Sequence, residues 1–273
     1  MSGIEQSIQP AEDLSGAHIR ISAVKDLSDF ERCVEVQLAV WGYSDNDLIP
    51  KRVFIVADRI GGQVIGAFDR ETLVAFAMSL PGYRDGKPYL HSHMLAVLPK
   101  YRNAGLGRKL KLAQRDDALA RGIDRMEWTF DPLEIKNAHL NIVRLGAIAR
   151  RYMRDFYGPS TSPLQGGLPT DRLVAEWWLD SPRVRGILGE VTLGEQRAQP
   201  TSAAGEDAVR VVVPAAVYDW KRSPDRRKLA ESLQTNNRIA LESAFARGLA
   251  VTAYERSPQG DGCFVLGQAT GLQ

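Results

Sequence analysis

Cysteine is scarce in this chain. Only Cys33 and Cys263 occur in 273 residues, far apart. That excludes a disulfide framework and a cysteine-rich zinc site. Of the four histidines, His139 has no Cys or His partner at ligand spacing, so no metal is assigned. Net charge is also small, at +2, which leaves no whole-chain attraction for an acidic polymer. Basic clusters at 100–111 and 148–154 read as solvated faces or local phosphate sites. A basic helix at 108–121 would be needed for nucleic acid, but Asp116, Asp117 and interleaved alanines interrupt it. No apolar run approaches the ~18 residues of a membrane span. The opening MSGIEQSIQPAEDLSG is polar and acidic, without a signal-peptide core. These absences predict a cytoplasmic protein with neither nucleic acid nor membrane as partner. No internal repeat is detected. Hydrophobic content of 44% and charged content of 25% are ordinary for a soluble globular chain.

What is present is concentrated in HSHMLAVLPKYRNAGLGRKLKLAQRDDALARGI, residues 91–123. It reads as an apolar strand, a glycine turn and a long helix. The turn holds Arg102, Asn103, Ala104, Gly105, Leu106 and Gly107. Glycines let backbone amides approach a ligand closely. The helix beginning there points unpaired N–H groups and a positive dipole end at the turn. Together these make a phosphate or pyrophosphate cradle, with Arg102, Arg108 and Lys109 adding charge. It is not a dinucleotide fingerprint, since GxGxxG is absent, nor a Walker loop, since no GK[ST] follows.

Periodicity predicts the order β-α-α-β-β-β-α-β-α-β-β over residues 18–179. The strands fall at 18–24, 62–69, 72–81, 89–97, 125–130, 148–157 and 171–179. The helices fall at 26–42, 51–60, 104–121 and 136–146. Residues 181–207 lose periodicity. A strand at 209–213, a helix within 223–248 and strands at 249–255 and 262–268 follow. Leu229, Leu233, Ile239 and Phe245 are expected to line one apolar face of that helix.

The run LAVLPKYRNAGLGRKL resembles motif A of the GNAT acyltransferase superfamily. Val97, Pro99, Arg102, Gly105 and Gly107 fall on its pattern. The resemblance implies a mixed α/β sheet that splays at its centre, covering about two-thirds of the chain. It implies acetyl-CoA or another short acyl-CoA as co-substrate, its pyrophosphate on the loop amides. It also implies that Leu95, Ala96 and Val97 pair with the pantetheine arm. A second likeness lies in NAHLNIVRLGA: Asn137 and Leu145-Gly146 match the family. Its usual general acid, a tyrosine four residues before the glycine, is replaced by Ile142.

The expected domains are a tail at 1–16, a GNAT acyltransferase domain at 17–188, a linker at 189–207 and a small α/β C-terminal unit at 208–273. About 65 residues make a marginal isolated core, so this unit is expected to dock. The catalytic candidates are His91, His93, Glu127 and Tyr152. The two histidines alternate on the strand entering the site, and imidazole suits proton removal from an ammonium. Glu127 stands on the neighbouring strand and can act through water. Tyr152 or Tyr157 can replace the missing acid. Amides along 94–97 can polarise the thioester carbonyl. The expected activity is acyl transfer to the amine of a small molecule or amino acid, with a homodimer allowed. The alternative is an acyl-CoA-binding sensor without turnover.

Overall fold

The computed structural model describes residues 18–43, 47–190 and 208–268. The expected tail and linker lie outside those residues, apart from 189–190. Strand β1 (Ile19–Ala23) leads into helices α1 (Leu27–Trp41) and α2 (Lys51–Arg59). Then come β2 (Gln63–Asp69), β3 (Thr72–Arg84) and β4 (Lys87–Val97). The glycine turn feeds α3 (Leu106–Ala120), followed by β5 (Arg125–Phe130), α4 (Ile135–His139), β6 (Ile148–Met153) and β7 (Arg172–Trp178). After α5 (Pro182–Leu188) the described chain resumes with β8 (Val209–Val213), α6 (Val217–Arg222), α7 (Arg227–Ala246), β9 (Leu249–Arg256) and β10 (Gly262–Gln268).

All ten strands join one mixed sheet, ordered β1-β2-β3-β4-β5-β7-β6-β9-β10-β8. The strands β1 to β4 run as antiparallel neighbours, with α1 and α2 on one face through Phe30, Cys33, Val36, Phe54 and Ala57. On the other face α3 packs Leu106 and Leu110 onto Ile65, Ala67 and Ala75. The two strands β3 and β4 run longer than their apolar pattern indicates. They meet at Asp85-Gly86, both left-handed at φ 53° and 77°, the backbone that a two-residue hairpin turn requires.

Two helices depart from the expected form. The helix predicted over 136–146 is α4 followed by a π-helical turn, Leu140–Arg144, in which the Leu145 amide reaches back to the Leu140 carbonyl. In α7 the buried stripe is Ala230, Gln234, Asn237, Leu241 and Ala244, whereas Leu229 and Ile239 are exposed. The expected apolar face is therefore corrected at Leu229 and Ile239, while Leu233 and Phe245 pack half-buried against the core. Gln234 and Asn237 can be buried because each donates to a backbone carbonyl, of Pro169 and Val212 respectively.

Residues 208–268 share a hydrophobic core with the preceding strands. Val211, Val217, Leu241, Val251, Phe264 and Leu266 belong to the same buried cluster as Trp128, Ile135, Leu173 and Trp177. The strand β9 continues the sheet through β6, at Ala149 opposite Val251. No helix among the described residues is long and apolar enough to cross a membrane.

Candidate active site

The sheet opens between the parallel strands β4 and β5. They pair only at Leu90–Met126 and His91–Glu127. Beyond these pairs β4 runs on to Val97 and β5 to Phe130 without a shared ladder, so the strands splay. A bulge lies at the same place. Met78 faces Met94 but Ser79 faces Ser92, which leaves His93 as the extra residue of β4.

The splay opens into a cavity of about 630 Å³. Its inner wall holds Ser92, His93, Met94 and Leu95 from β4, Lys111 from α3 and Trp128 to Phe130 from β5. Asn137 and Asn141, one helical turn apart, form a side wall. The mouth is made by Trp41, Tyr43 and Asp47 after α1 and by Tyr157 to Arg172 between β6 and β7. These mouth segments are tied together. Thr161 donates its amide and hydroxyl to Asp47, at 2.8 and 2.5 Å, and the Ser162 hydroxyl donates to the Trp41 carbonyl at 2.9 Å. Gln37, fully buried, holds the Ile49 backbone through both its donor and its acceptor.

The glycine turn lies at the C-terminal end of β4. Asn103 and Gly105 are left-handed, at φ 64° and 77°, and α3 starts without a side-chain cap. Its first backbone bond runs from the Lys109 amide to the Gly105 carbonyl. The amides of 106–108 precede that bond, the open N–H groups of an uncapped helix start. Arg102 folds back onto the Val97 carbonyl and Arg108 onto that of Arg144, so both cations flank the turn. A β-carbon at Gly107 would meet only Leu95 and Leu140, at ordinary distances of 3.6 and 3.8 Å.

The four catalytic candidates are placed differently. His93 lines the cavity, and burial lowers its pKa from the usual imidazole value. His91 stacks beside it, ring centroids 6.1 Å apart, but is not on the cavity wall. Burial, aided by His93, pulls the His91 pKa down to about 4. Glu127 faces away from the cavity. Arg84 grips both its carboxylate oxygens at 2.9 and 2.7 Å, and Arg151 adds a contact at 2.8 Å. The Tyr152 hydroxyl donates to the fully buried Asp171 at 2.7 Å, outside the cavity, and burial with that carboxylate pushes its pKa up. Tyr157, its alternative, is on the wall, its hydroxyl 2.9 Å from Thr129 Oγ1.

Sequence reasoning missed Lys111 and Asn141. Asn141 is 1% exposed and its Nδ2 has no partner, an orphaned donor on the wall of the cavity. Lys111 alone leaves a trace in the sequence, since it falls with Leu110, Gln114 and Ala118 on the buried stripe of α3.

The depressed histidine has a stability consequence. Unfolded, His91 titrates near 6.5, and folded near 4, so the unfolded chain binds the extra proton between those values. Stability is complete above pH 6.5 and falls as pH drops towards 4, by about 3 kcal/mol at most. Urea unfolding of the parent and of His91→Gln across pH 4–7 measures this. The parent's advantage should shrink on the acid side, and a constant difference would refute the assignment.

A mixed sheet opened between two parallel strands, with a bulge at the opening and a bare helix start beyond it, defines an acyltransferase-like α/β domain. Residues 29–140 match the family model of the acetyltransferase (GNAT) family. Strands and helices of 208–268 are added to that fold. Among solved structures, it is similar to the ribosomal-protein-S18-alanine N-acetyltransferase of Escherichia coli. The two are 18% identical, with 58% of this chain and 92% of that one covered at a TM-score of 0.48. A putative acetyltransferase of Salmonella typhimurium, yncA, solved with acetyl-CoA, is 18% identical with 59% and 94% covered at 0.49. Arabidopsis thaliana Naa50, in complex with a bisubstrate analogue, is 13% identical with 58% and 97% covered at 0.45. No curated protein sequence matches the chain.

Proposed function

We propose that the protein transfers an acyl group, most simply acetyl from acetyl-CoA, to the amine of a small molecule or amino acid. The observation that carries this reading is the alignment of unsatisfied donors along one path. The amides of 106–108 at the uncapped start of α3 suit a pyrophosphate, with Arg102 and Arg108 beside it. The unpaired edges of Leu95, Ala96 and Val97 suit the amide-bearing pantetheine arm, with Asn137 on the facing wall. Asn141 Nδ2 then points a buried donor at the splay, where a thioester carbonyl would gain negative charge.

The acceptor enters by the mouth opposite. The stacked rings of Trp41 and Tyr43, 5.5 Å apart, form an apolar side of it. His93 is the base of this scheme: it is on the wall, and its lowered pKa keeps the imidazole neutral near pH 7. It removes one proton from the incoming ammonium. Positioning of the amine against the carbonyl supplies much of the remaining acceleration. The binding-only alternative is favoured by Ile142, which is buried and offers no proton. Product formation distinguishes the two.

Gly107→Asp tests the cofactor path without harming the fold. The position is helical and has room, and an acidic residue in the first turn favours the helix. The same charge would stand among amides meant for pyrophosphate. Calorimetry should show acetyl-CoA affinity falling at least about 100-fold with an unchanged or higher melting temperature. Intact affinity in the folded variant would remove the assignment.

A further inference from the structure

Lys111 is a lysine where a leucine would cost less. It is 2% exposed, on the face of α3 that packs beneath the splay, and it borders the cavity. Nζ lies 2.6 Å from Ser92 Oγ and 3.7 Å from the ring centroid of Trp128. The Ser92 hydroxyl proton is committed to Gln114 Oε1 at 3.0 Å, so Lys111 must donate to Ser92. Nζ also stands over the Trp128 face, where a second N–H can meet the ring. In a neutral amine those two bonds use both hydrogens, and the lone pair takes the remaining corner of the nitrogen.

Other groups around the cavity are spent. Asp131 and Glu134 hold Lys221, at 3.0 and 2.9 Å. On elements packed near Lys111, the charged or titratable groups are His91 and His93 of β4, Glu127 of β5 and Arg115 of α3. Glu127 is held by Arg84 and Arg151, and Arg115 by Glu190 and the Leu179 carbonyl. No carboxylate among the described residues pairs with Lys111.

We propose that Lys111 is a catalytic proton carrier, moving the acceptor's second proton to the departing sulfur. The proposal rests on the acyl-transfer reading above. After His93 has taken one proton, the amine nitrogen bonds to the thioester carbonyl and becomes positively charged. Nζ takes one of its protons. The C–S bond then breaks, the carbonyl re-forms as an amide, and Nζ gives the proton to the thiolate. Amine and thioester have become amide and thiol, and Lys111 ends neutral as it began. Burial holds the Lys111 pKa well below the ordinary lysine value, which favours the neutral amine over the ammonium.

The test compares the full chain with Lys111→Met, which keeps the shape of the stem, and Lys111→Arg, which is permanently charged and cannot release a proton. Acetyl-CoA binding is measured by calorimetry. Turnover is followed from pH 6 to 10 as thiol release and acetylated product, with pooled amino acids and amines as acceptors. Both variants should bind acetyl-CoA, Lys111→Met within about twofold of the parent, and both should lose turnover about 100-fold or more, in kcat rather than KM. Parent-like turnover and pH profile in Lys111→Met would overturn the carrier. A parent chain that binds no acetyl-CoA would instead sink the acyl-transfer reading. Should the parent bind acetyl-CoA yet acylate nothing in the pool, isotope-edited NMR of the lysine side chains decides. A Lys111 signal titrating well below the other lysines upholds the neutral amine, and one that follows them overturns it.

Discussion

A chain ended at Glu190 should fail to fold as a soluble monomer. Removing 208–268 strips Val211, Val217, Leu241, Val251, Phe264 and Leu266 from the core they share with Trp128, Ile135 and Trp177. Each lost aliphatic or aromatic side chain is worth about 1.5–3 kcal/mol of burial. Six of them match or exceed the ~5–15 kcal/mol that holds a domain together. Polar ties go as well. Arg183 donates to the Thr252 carbonyl at 2.7 Å, and the Ile135 amide donates to the Tyr218 hydroxyl at 3.1 Å. The outer edge of β6 would lie open, inviting strand-to-strand association. Expression should yield aggregates, or a species without a cooperative melt. A truncated monomer with the parent's melting temperature and acetyl-CoA affinity would show that the C-terminal segment is an independent appendage.

That dependence bears on how much of the molecule was legible in its sequence. The element order from β1 to β7 followed from apolar periodicity and turn residues, because each element's exposed and buried faces differ in composition. The glycine turn was equally plain, since Gly105 occupies a backbone region that disfavours side chains. Long-range convergence was not legible. Glu127 looks like a free carboxylate on a strand until β3 and β6 deliver Arg84 and Arg151 to it. Tyr152 looks available until Asp171 is brought to its hydroxyl. The π-turn at Leu140–Arg144 is set by packing, and it places Asn141 on the cavity wall. Lys111 hid in a helix rich in basic residues, where a lysine ordinarily signals solvent. In α7 the large side chains Leu229 and Ile239 outweighed, by type, a stripe that alanine and amides in fact form.

Lys221→Met should be the most damaging single substitution away from the core. Lys221 of α6 is 7% exposed and reaches across to Asp131 and Glu134, which line the cavity. Burial lowers the pKa of its ammonium, but the two carboxylates more than offset this and the net shift is upward. Removing the lysine leaves Asp131, 9% exposed, charged and without its partner. Breaking one side of a buried ion pair costs about 3–5 kcal/mol, far more than the pair itself contributes against an apolar replacement. The sign of the rescue follows. Asp131→Asn keeps the side-chain oxygen that accepts from the Leu133 amide at 2.8 Å, while removing the charge. Combined with Glu134→Gln and Lys221→Met, it should recover much of the lost stability, giving a coupling energy of about 1–3 kcal/mol in a mutant cycle. The same ties brace the acceptor wall from behind, because Gly166 of the β6–β7 loop packs on the Lys221 backbone so closely that a β-carbon would come within 2.7 Å of its carbonyl oxygen. Under the acyl-transfer reading, Lys221→Met should therefore raise the acceptor KM while acetyl-CoA affinity, which that reading assigns to the distant glycine turn, stays near the parent's. A loss below about 1 kcal/mol, or additive effects around the cycle, would mean that solvent already screens these charges and that α6 does not hold the wall.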